Sequence, residues 1–196
     1  MKQGLIVYLN GTSSSGKTSI SKELQKQKEV PFHHLSIDEF LGGYDDFIDK
    51  KFPDIEPTRE VEDLGQILFG PIASVYFATI KLFSELGLNV IVDTVIDNDK
   101  WFNDCHDLLF DYPMLFVGVL CSKEELTRRE QLRGDRMIGL ASAQFDKVYS
   151  FHEYDLEVNT EQLNPAECAD RILSFINSGQ DCSAYKKLSK REITVS

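Results

Sequence analysis

Residues 11–18 carry the clearest chemical signal in this 196-residue chain. They read GTSSSGKT, which fits the phosphate-binding pattern G-x-x-x-x-G-K-[ST] known as Walker A. Glycines let backbone N–H groups turn inward around phosphate oxygens, and a helix that begins near Gly16 adds its positive N-terminal end. Lys17 supplies a mobile cation for the β- and γ-phosphates, and the Thr18 hydroxyl is a ligand for Mg²⁺. The alternative is a serine-rich loop whose lysine points to solvent. The pattern favours a binding site for the phosphates of ATP, formed by Gly11, Thr12, Ser13, Ser14, Ser15, Gly16, Lys17, Thr18 and Ser19.

Two aspartates stand at the ends of predicted strands, Asp38 after Ser36-Ile37 and Asp93 after Ile91-Val92. Ligands of an open parallel sheet bind beyond the carboxyl ends of its strands, so both carboxylates are expected to face the phosphate-binding site. Asp93 follows an apolar run, as a Walker B aspartate does, and is the candidate Mg²⁺ ligand. Asp38 is the candidate general base, because an irregular acidic segment that could receive an acceptor follows it.

The alternative is that either aspartate caps the next helix. Other acidic residues nearby remain local alternates for both roles, namely Glu39, Asp97 and Asp99.

Four arginines lie within nine residues of an otherwise acidic chain. Arginine presents planar, permanently charged donors that suit phosphate oxygens. Arg129 and Arg133 are spaced to line one helical face toward a nucleotide, and Arg133 and Arg136 flank a Gly-Asp turn. We therefore predict an arginine-rich lid at about residues 123–145 in which Arg133 and Arg136 contact phosphate. Arg128 is expected instead to lie on a solvated helix face and to pair with a nearby glutamate.

Short, continuous apolar runs alternate with helical patterns, which is typical of an α/β protein with a parallel sheet covered on both faces. The helical pattern of residues 61–86 is interrupted at Gly70-Pro71, where a helix should break or kink. We expect one domain over residues 1–179 and a polar, loosely ordered tail over 180–196. The predicted strands are Leu5–Leu9, Phe32–Ile37, Asn89–Val92, Met114–Leu120 and Asp155–Val158, and the predicted helices include Ser19–Lys28, Trp101–Phe110, one that begins after Ser122, and Pro165–Ile176.

Composition narrows the class of protein further. The net charge of −11 argues against a nucleic-acid or anionic-membrane partner, although a local basic site could still take an anionic substrate. The four cysteines show no metal-binding spacing and are expected to be reduced. The N-terminal apolar run is too short for a secretory signal, and no later run is long enough to span a membrane, so we expect a cytoplasmic protein.

Several motifs together resemble the chloramphenicol phosphotransferase-like family. They are the Walker A turn, ID at residues 37–38, RGDRMIGLASAQ at 133–144 and YDLEVNT at 154–160. The resemblance implies a P-loop kinase fold and an ATP-dependent transfer of the γ-phosphate to a hydroxyl of a small molecule. It also implies that Asp38 matches the family's general base, Lys17 its phosphate-binding lysine, and Arg133 and Arg136 its lid arginines. The helix kinked at Gly70-Pro71 would then wall the acceptor pocket.

The chain departs from the family pattern in two places. Val148-Tyr149 stands where the family often has Val-His, and the acidic segment 42–57 has no obvious match. The acceptor is therefore left open, as are oligomeric state and the choice between ATP and GTP. The alternatives to a small-molecule O-phosphotransferase are a nucleoside or metabolite kinase and a nucleotide-binding switch that hydrolyses slowly. His33 and His34 are expected to be structural, and Trp101 and Phe102 to floor the acceptor pocket or to pack on the core.

Overall fold

A five-stranded parallel sheet forms the centre of the protein, as predicted. The structure is a computed structural model that describes residues 2–42, 70–97, 99–133, 139–150 and 153–188. The strand order is β2-β3-β1-β4-β5, and all four neighbouring pairs are parallel. The strands are β1 Ile6–Asn10, β2 His33–Ser36, β3 Val90–Thr94, β4 Met114–Leu120 and β5 Leu156–Asn159.

Helices flank the sheet, and within the described residues none is long and apolar enough to cross a membrane. Gly70 and Pro71 open helix α3, and proline suits a first turn because its missing N–H has no partner there anyway. The part of the predicted long helix before Gly70 lies outside the described residues. The helices are α1 Lys17–Gln25, α2 Ile37–Gly42, α3 Gly70–Glu85, α4 Asp99–Leu109, α5 Lys123–Arg133, α6 Leu140–Val148, α7 Pro165–Ser178 and α8 Ala184–Lys187.

Apolar side chains alternate between the two faces of the sheet and make one core on each side. Tyr8 and Val92 belong to the core that also contains residues of α3 and α4, whereas Leu9 and Ile91 belong to the core beneath α1 and α7. Because both faces are covered, the strands are apolar throughout, which explains why their sequences do not alternate. Phe102 lies in the first of these cores and is 1% exposed, so its role is packing.

The predicted loose tail is wrong for residues 180–188. Helix α8 places Tyr185 in the core, 2% exposed, with its ring centroid 5.6 Å from that of Phe116. Asp155 holds this segment, because its Oδ1 accepts hydrogen bonds of 2.8 Å from the backbone N–H groups of Ser183 and Ala184. A buried aromatic side chain and a capping carboxylate are therefore sufficient to order this stretch. Residues 189–196 lie outside the described part of the chain.

Candidate active site

The turn between β1 and α1 has the tight backbone of a phosphate-binding loop. Gly16 adopts φ 98° and Ser14 φ 60°, so the chain passes twice through the left-handed region before α1 begins. Gly11 is needed for a different reason, since a Cβ there would lie 2.6 Å from Ser15 Oγ and 2.8 Å from the carbonyl oxygen of Val119. Both glycines of the sequence pattern are thus required by the local geometry.

Lys17 lies within this turn rather than in solvent. Its Nζ donates hydrogen bonds to the carbonyl oxygens of Gly11, at 2.9 Å, and Thr12, at 2.8 Å, and the residue is 6% exposed. Among the residues that the structure describes, the buried Oγ atoms of Ser14 and Ser15 have no hydrogen-bond partner. A turn that holds an ammonium and unsatisfied hydroxyl groups fits an anionic, oxygen-rich ligand such as phosphate.

Thr18 and Asp93 meet at the start of α1. Thr18 Oγ1 donates a 2.6 Å hydrogen bond to Asp93 Oδ2, and the Asp93 side chain is 7% exposed. Burial by itself would raise the pKa of Asp93, but the His34 imidazole, the Lys17 ammonium and the Thr18 hydroxyl together hold it below its ordinary value. Asp93 is therefore ionised at neutral pH. A carboxylate beside a hydroxyl group provides the hard oxygen donors that Mg²⁺ prefers, and Asp93 lies inside β3 rather than at a helix cap.

His34 is a neighbour of this carboxylate that the sequence did not single out. Its Nε2 lies 3.5 Å from Asp93 Oδ2, and its side chain is 8% exposed. The contact arises because β2 pairs with β3 in a register that places Ser36 opposite Asp93 and His34 opposite Ile91. A strand register is not readable from a local pattern, so the sequence indicates only a structural role for His34.

Asp38 lies at the same edge of the sheet. β2 ends at Ser36, one residue earlier than predicted, and Asp38 is exposed in the first turn of α2. The buried Tyr76 hydroxyl donates a 2.8 Å hydrogen bond to the carbonyl oxygen of Leu35, and its pKa is raised well above 10 by burial, then by Asp93, Cys105 and Asp38. Both carboxylates therefore act electrostatically on one tyrosine. An acid in a first helical turn also suits the helix dipole, so the capping alternative for Asp38 stays open.

The three arginines that the structure describes in this segment, Arg128, Arg129 and Arg133, have different surroundings. Arg128 pairs with Glu125 on the surface through contacts of 2.6 and 2.7 Å, as predicted for that residue. Arg133 ends α5 and is exposed, and Arg136 lies outside the described residues. Arg129 lies against the turn, where its guanidinium contacts Thr160 and the Ser14 carbonyl oxygen, and it also pairs with Glu125 at 2.9 Å. That Arg129 and Arg133 face a nucleotide stays a prediction.

Arg129 and Thr160 brace the phosphate loop. Arg129 Nη1 donates to Thr160 Oγ1 at 3.0 Å and approaches the Ser14 carbonyl oxygen at 3.4 Å, while Nη2 donates to the Thr160 carbonyl oxygen at 2.8 Å. Thr160 Oγ1 in turn donates to the Ser15 carbonyl oxygen at 2.8 Å. Arg129 thus positions the loop by contacting the Ser14 carbonyl oxygen directly and the Ser15 carbonyl oxygen through Thr160.

Helix α6 contacts the same loop from another side. Gln144 Oε1 accepts a 3.0 Å hydrogen bond from the Ser13 backbone N–H, and Gln144 Nε2 donates to Asp97 Oδ2 at 3.2 Å. Tyr149, which replaces the histidine common in the family motif, donates from its hydroxyl to the Val119 carbonyl oxygen at 2.7 Å. Ser13 and Gln144 are 131 positions apart in the sequence, so a local pattern does not predict their contact.

Comparison with known proteins shows the family and the fold of the chain. A family model described as "Chloramphenicol phosphotransferase-like protein" matches residues 4–177. The Mycobacterium tuberculosis protein Rv2636, which carries the provisional name O-phosphotransferase, is 29% identical over 207 aligned positions that cover 97% of this chain and 90% of the relative.

Two solved structures share the fold. APS kinase CysC of Mycobacterium tuberculosis, in complex with AMPPNP and APS, has a TM-score of 0.65 at 15% identity, covering 90% of this chain and 99% of its own. Shikimate kinase of Aquifex aeolicus has a TM-score of 0.51 at 19% identity, covering 88% of this chain and 96% of its own. The architecture is that of the P-loop kinases.

Proposed function

We propose that this chain, which belongs to the chloramphenicol phosphotransferase-like family, transfers the γ-phosphate of ATP to a hydroxyl group of a small molecule. Membership makes the protein a phosphotransferase. The donor, the acceptor and the roles of individual residues are the proposal, and the contacts of the phosphate loop are its main support.

The observation that carries the proposal is the arrangement of Lys17, Thr18 and Asp93 around one turn. Lys17 is held against the carbonyl oxygens of the turn, and Thr18 bonds to a buried, ionised carboxylate on the adjacent strand. The unpartnered hydroxyls of Ser14 and Ser15, within the described residues, fit phosphate oxygens. This combination supports a nucleoside triphosphate as donor.

Thr18 and Asp93 would hold Mg²⁺. Their oxygens fit a cation that usually takes one or two protein ligands and completes its shell with phosphate oxygens and water. When bound, the ion would neutralise charge on the β- and γ-phosphates. Lys17 would bind the same phosphates from inside the turn, and the remaining residues of the loop, from Gly11 to Ser19, would contribute hydroxyls and backbone N–H groups, apart from the Ser13 N–H, which donates to Gln144.

Asp38 would orient the acceptor. As the acceptor oxygen bonds to the γ-phosphorus, the bond from that phosphorus to the β,γ-bridging oxygen breaks, ADP leaves, and Asp38 takes the hydroxyl proton. Proton loss from the acceptor hydroxyl is late when the transition state is loose. Asp38 is exposed, as a group that meets a substrate must be. Arg133 and Arg136 would offset the charge on the transferring phosphoryl group.

An acceptor screen tests the proposal. The protein is incubated with ATP, Mg²⁺ and a panel of hydroxylated compounds that includes chloramphenicol, sugars, amino alcohols and nucleosides, and products are read by mass spectrometry. We expect ADP formation that depends on one acceptor, with a product heavier by one phosphoryl group. A nucleoside product would favour the nucleoside kinase alternative. ADP release that no acceptor accelerates would favour the switch.

A pair of variants tests the base. Asp38→Asn should abolish transfer and leave ATP binding intact, whereas Glu39→Gln, which removes the adjacent exposed carboxylate of α2, should keep most of the activity. The reverse pattern would move the role to Glu39.

A further inference from the structure

Gln144 makes two hydrogen bonds whose chemistry fixes the orientation of its amide. The Ser13 backbone N–H can only donate, so it requires Oε1, and the Asp97 carboxylate can only accept, so it requires Nε2. Both demands select the same one of the two possible amide orientations. Asp97 thus determines which end of Gln144 faces the phosphate loop.

The helix that carries Gln144 is anchored near both ends. At its start, the fully buried Glu130 of α5 accepts hydrogen bonds from the backbone N–H groups of Gly139, at 2.9 Å, and Ala141, at 2.7 Å. At its end, Asn10 Nδ2 donates to the Val148 carbonyl oxygen at 2.9 Å. Gln144 therefore projects from a fixed support, and its hydrogen bond can constrain the loop at Ser13.

Asp97 brings a third part of the site into the same network. It lies between β3, which carries Asp93, and α4, which begins at Asp99. The path Ser13–Gln144–Asp97 therefore connects the phosphate loop, helix α6 and the segment that follows the candidate Mg²⁺ ligand. The proposed function gives none of these contacts a role.

We propose that Gln144 and Asp97 form a positioning pair that holds the phosphate loop at Ser13 in the conformation that binds nucleotide. The inference rests on the proposed function and deepens it, because it concerns the same site. Loss of the pair leaves the Ser13 N–H without its acceptor and gives the loop more conformations, so nucleotide binding must then restore the order that the pair provides.

An exchange of the two side-chain types tests the pair. In Gln144→Glu, a second carboxylate faces Asp97 and repels it. In Asp97→Asn, Gln144 can still donate to an amide oxygen. In the double variant, the introduced amide donates to one oxygen of the introduced carboxylate while the other oxygen accepts from Ser13, so the hydrogen-bonding pattern and the net charge both return.

The probe is AMPPNP with Mg²⁺, and its dissociation constant is measured by calorimetry at pH 8, where a proton shared between two carboxyl groups is disfavoured. We expect Gln144→Glu to weaken binding about tenfold, Asp97→Asn by no more than about threefold, and the double variant to bind within about threefold of the unmodified protein. Asp146→Asn is the matched control, because it breaks the surface pair of α6 with Lys123, at 3.1 Å, without touching the loop. Its affinity should not change.

Hydrogen exchange of residues 11–18 gives a second readout that does not depend on nucleotide. It should be faster in Gln144→Glu and return toward normal in the double variant. The inference is wrong if Gln144→Glu binds AMPPNP normally, or if the double variant binds no better than Gln144→Glu. If the unmodified protein does not bind AMPPNP at all, the proposed function fails first, and the inference about nucleotide binding fails with it.

Discussion

The substitution Thr160→Val removes one hydroxyl from the brace beneath the phosphate loop and keeps the shape of the side chain. That hydroxyl accepts from Arg129 Nη1 at 3.0 Å and donates to the Ser15 carbonyl oxygen at 2.8 Å. Valine retains the methyl group that faces Gly16, where a Cβ would lie 3.4 Å from Thr160 Cγ2. The change is therefore confined to hydrogen bonding.

The expected loss in the free energy of unfolding follows from these two hydrogen bonds. A neutral hydrogen bond contributes about 1 kcal/mol and one to a charged group about 1.5–3 kcal/mol. Arg129 keeps its bond to the Thr160 carbonyl oxygen, at 2.8 Å, which limits the loss. We expect the free energy of unfolding to fall by about 2–3 kcal/mol and AMPPNP to bind about threefold to tenfold more weakly, because Ser15 is no longer held in place.

Urea unfolding and calorimetric titration with AMPPNP measure both effects. Thr127→Val is the matched control, because Thr127 Oγ1 donates to the Lys123 carbonyl oxygen of its own helix, at 2.9 Å, and, within the described part of the chain, makes no other hydrogen bond. The control should stay within about 0.5 kcal/mol of the unmodified protein and bind AMPPNP normally. If Thr160→Val is no less stable than Thr127→Val, the brace does not support the loop and the reasoning is refuted.

Three further predictions concern buried groups of the same site. Glu130→Ala should lower the free energy of unfolding by about 2–4 kcal/mol in a urea titration, because the N–H groups of Gly139 and Ala141 lose their acceptor; a loss below about 0.5 kcal/mol would contradict this. Gly11→Ala should lower stability by about 1–3 kcal/mol and weaken AMPPNP binding, because the new Cβ would meet the Val119 carbonyl oxygen at 2.8 Å; normal binding would show that the loop adapts. The lowered pKa of Asp93 means that its ionised form stabilises the fold above the unfolded pKa of about 3.9, and that this contribution is lost as the pH falls through the folded pKa. The melting temperatures of the unmodified protein and Asp93→Asn should therefore differ most above pH 4. A difference that grows toward lower pH would contradict stabilisation by the ionised Asp93.

The sequence was most informative where one short stretch carries the whole signal. Met114–Leu120 was predicted with its observed bounds, because a continuous apolar run between turn residues has few other solutions. The Walker A pattern correctly indicated a turn between a strand and a helix, although α1 begins at Lys17, two residues before the predicted Ser19, and ends at Gln25.

Predictions failed where a residue's role depends on distant partners. The contacts of Arg129 with Thr160 were not predicted, because local spacing does not reveal the acceptors that Thr160 supplies. Helix α6 was not predicted, and its first turn is held by Glu130, an acid that looks like a surface residue and is fully buried. The tail was expected to be loose because its composition is polar, whereas the buried Tyr185 and the hydrogen bonds that Asp155 accepts from Ser183 and Ala184 hold residues 180–188 against the sheet.

Transfer of the γ-phosphoryl group to an acceptor hydroxyl can be followed with ATP labelled with ¹⁸O at the three non-bridging γ-oxygens. The labelled nucleotide, Mg²⁺ and the acceptor found in the screen are incubated with the protein, and the product is analysed by mass spectrometry. We expect an acceptor heavier by one phosphoryl group that carries all three labels, with the acceptor's own oxygen as the bridge to phosphorus. Labelled inorganic phosphate as the sole product, with the acceptor unchanged, would contradict it.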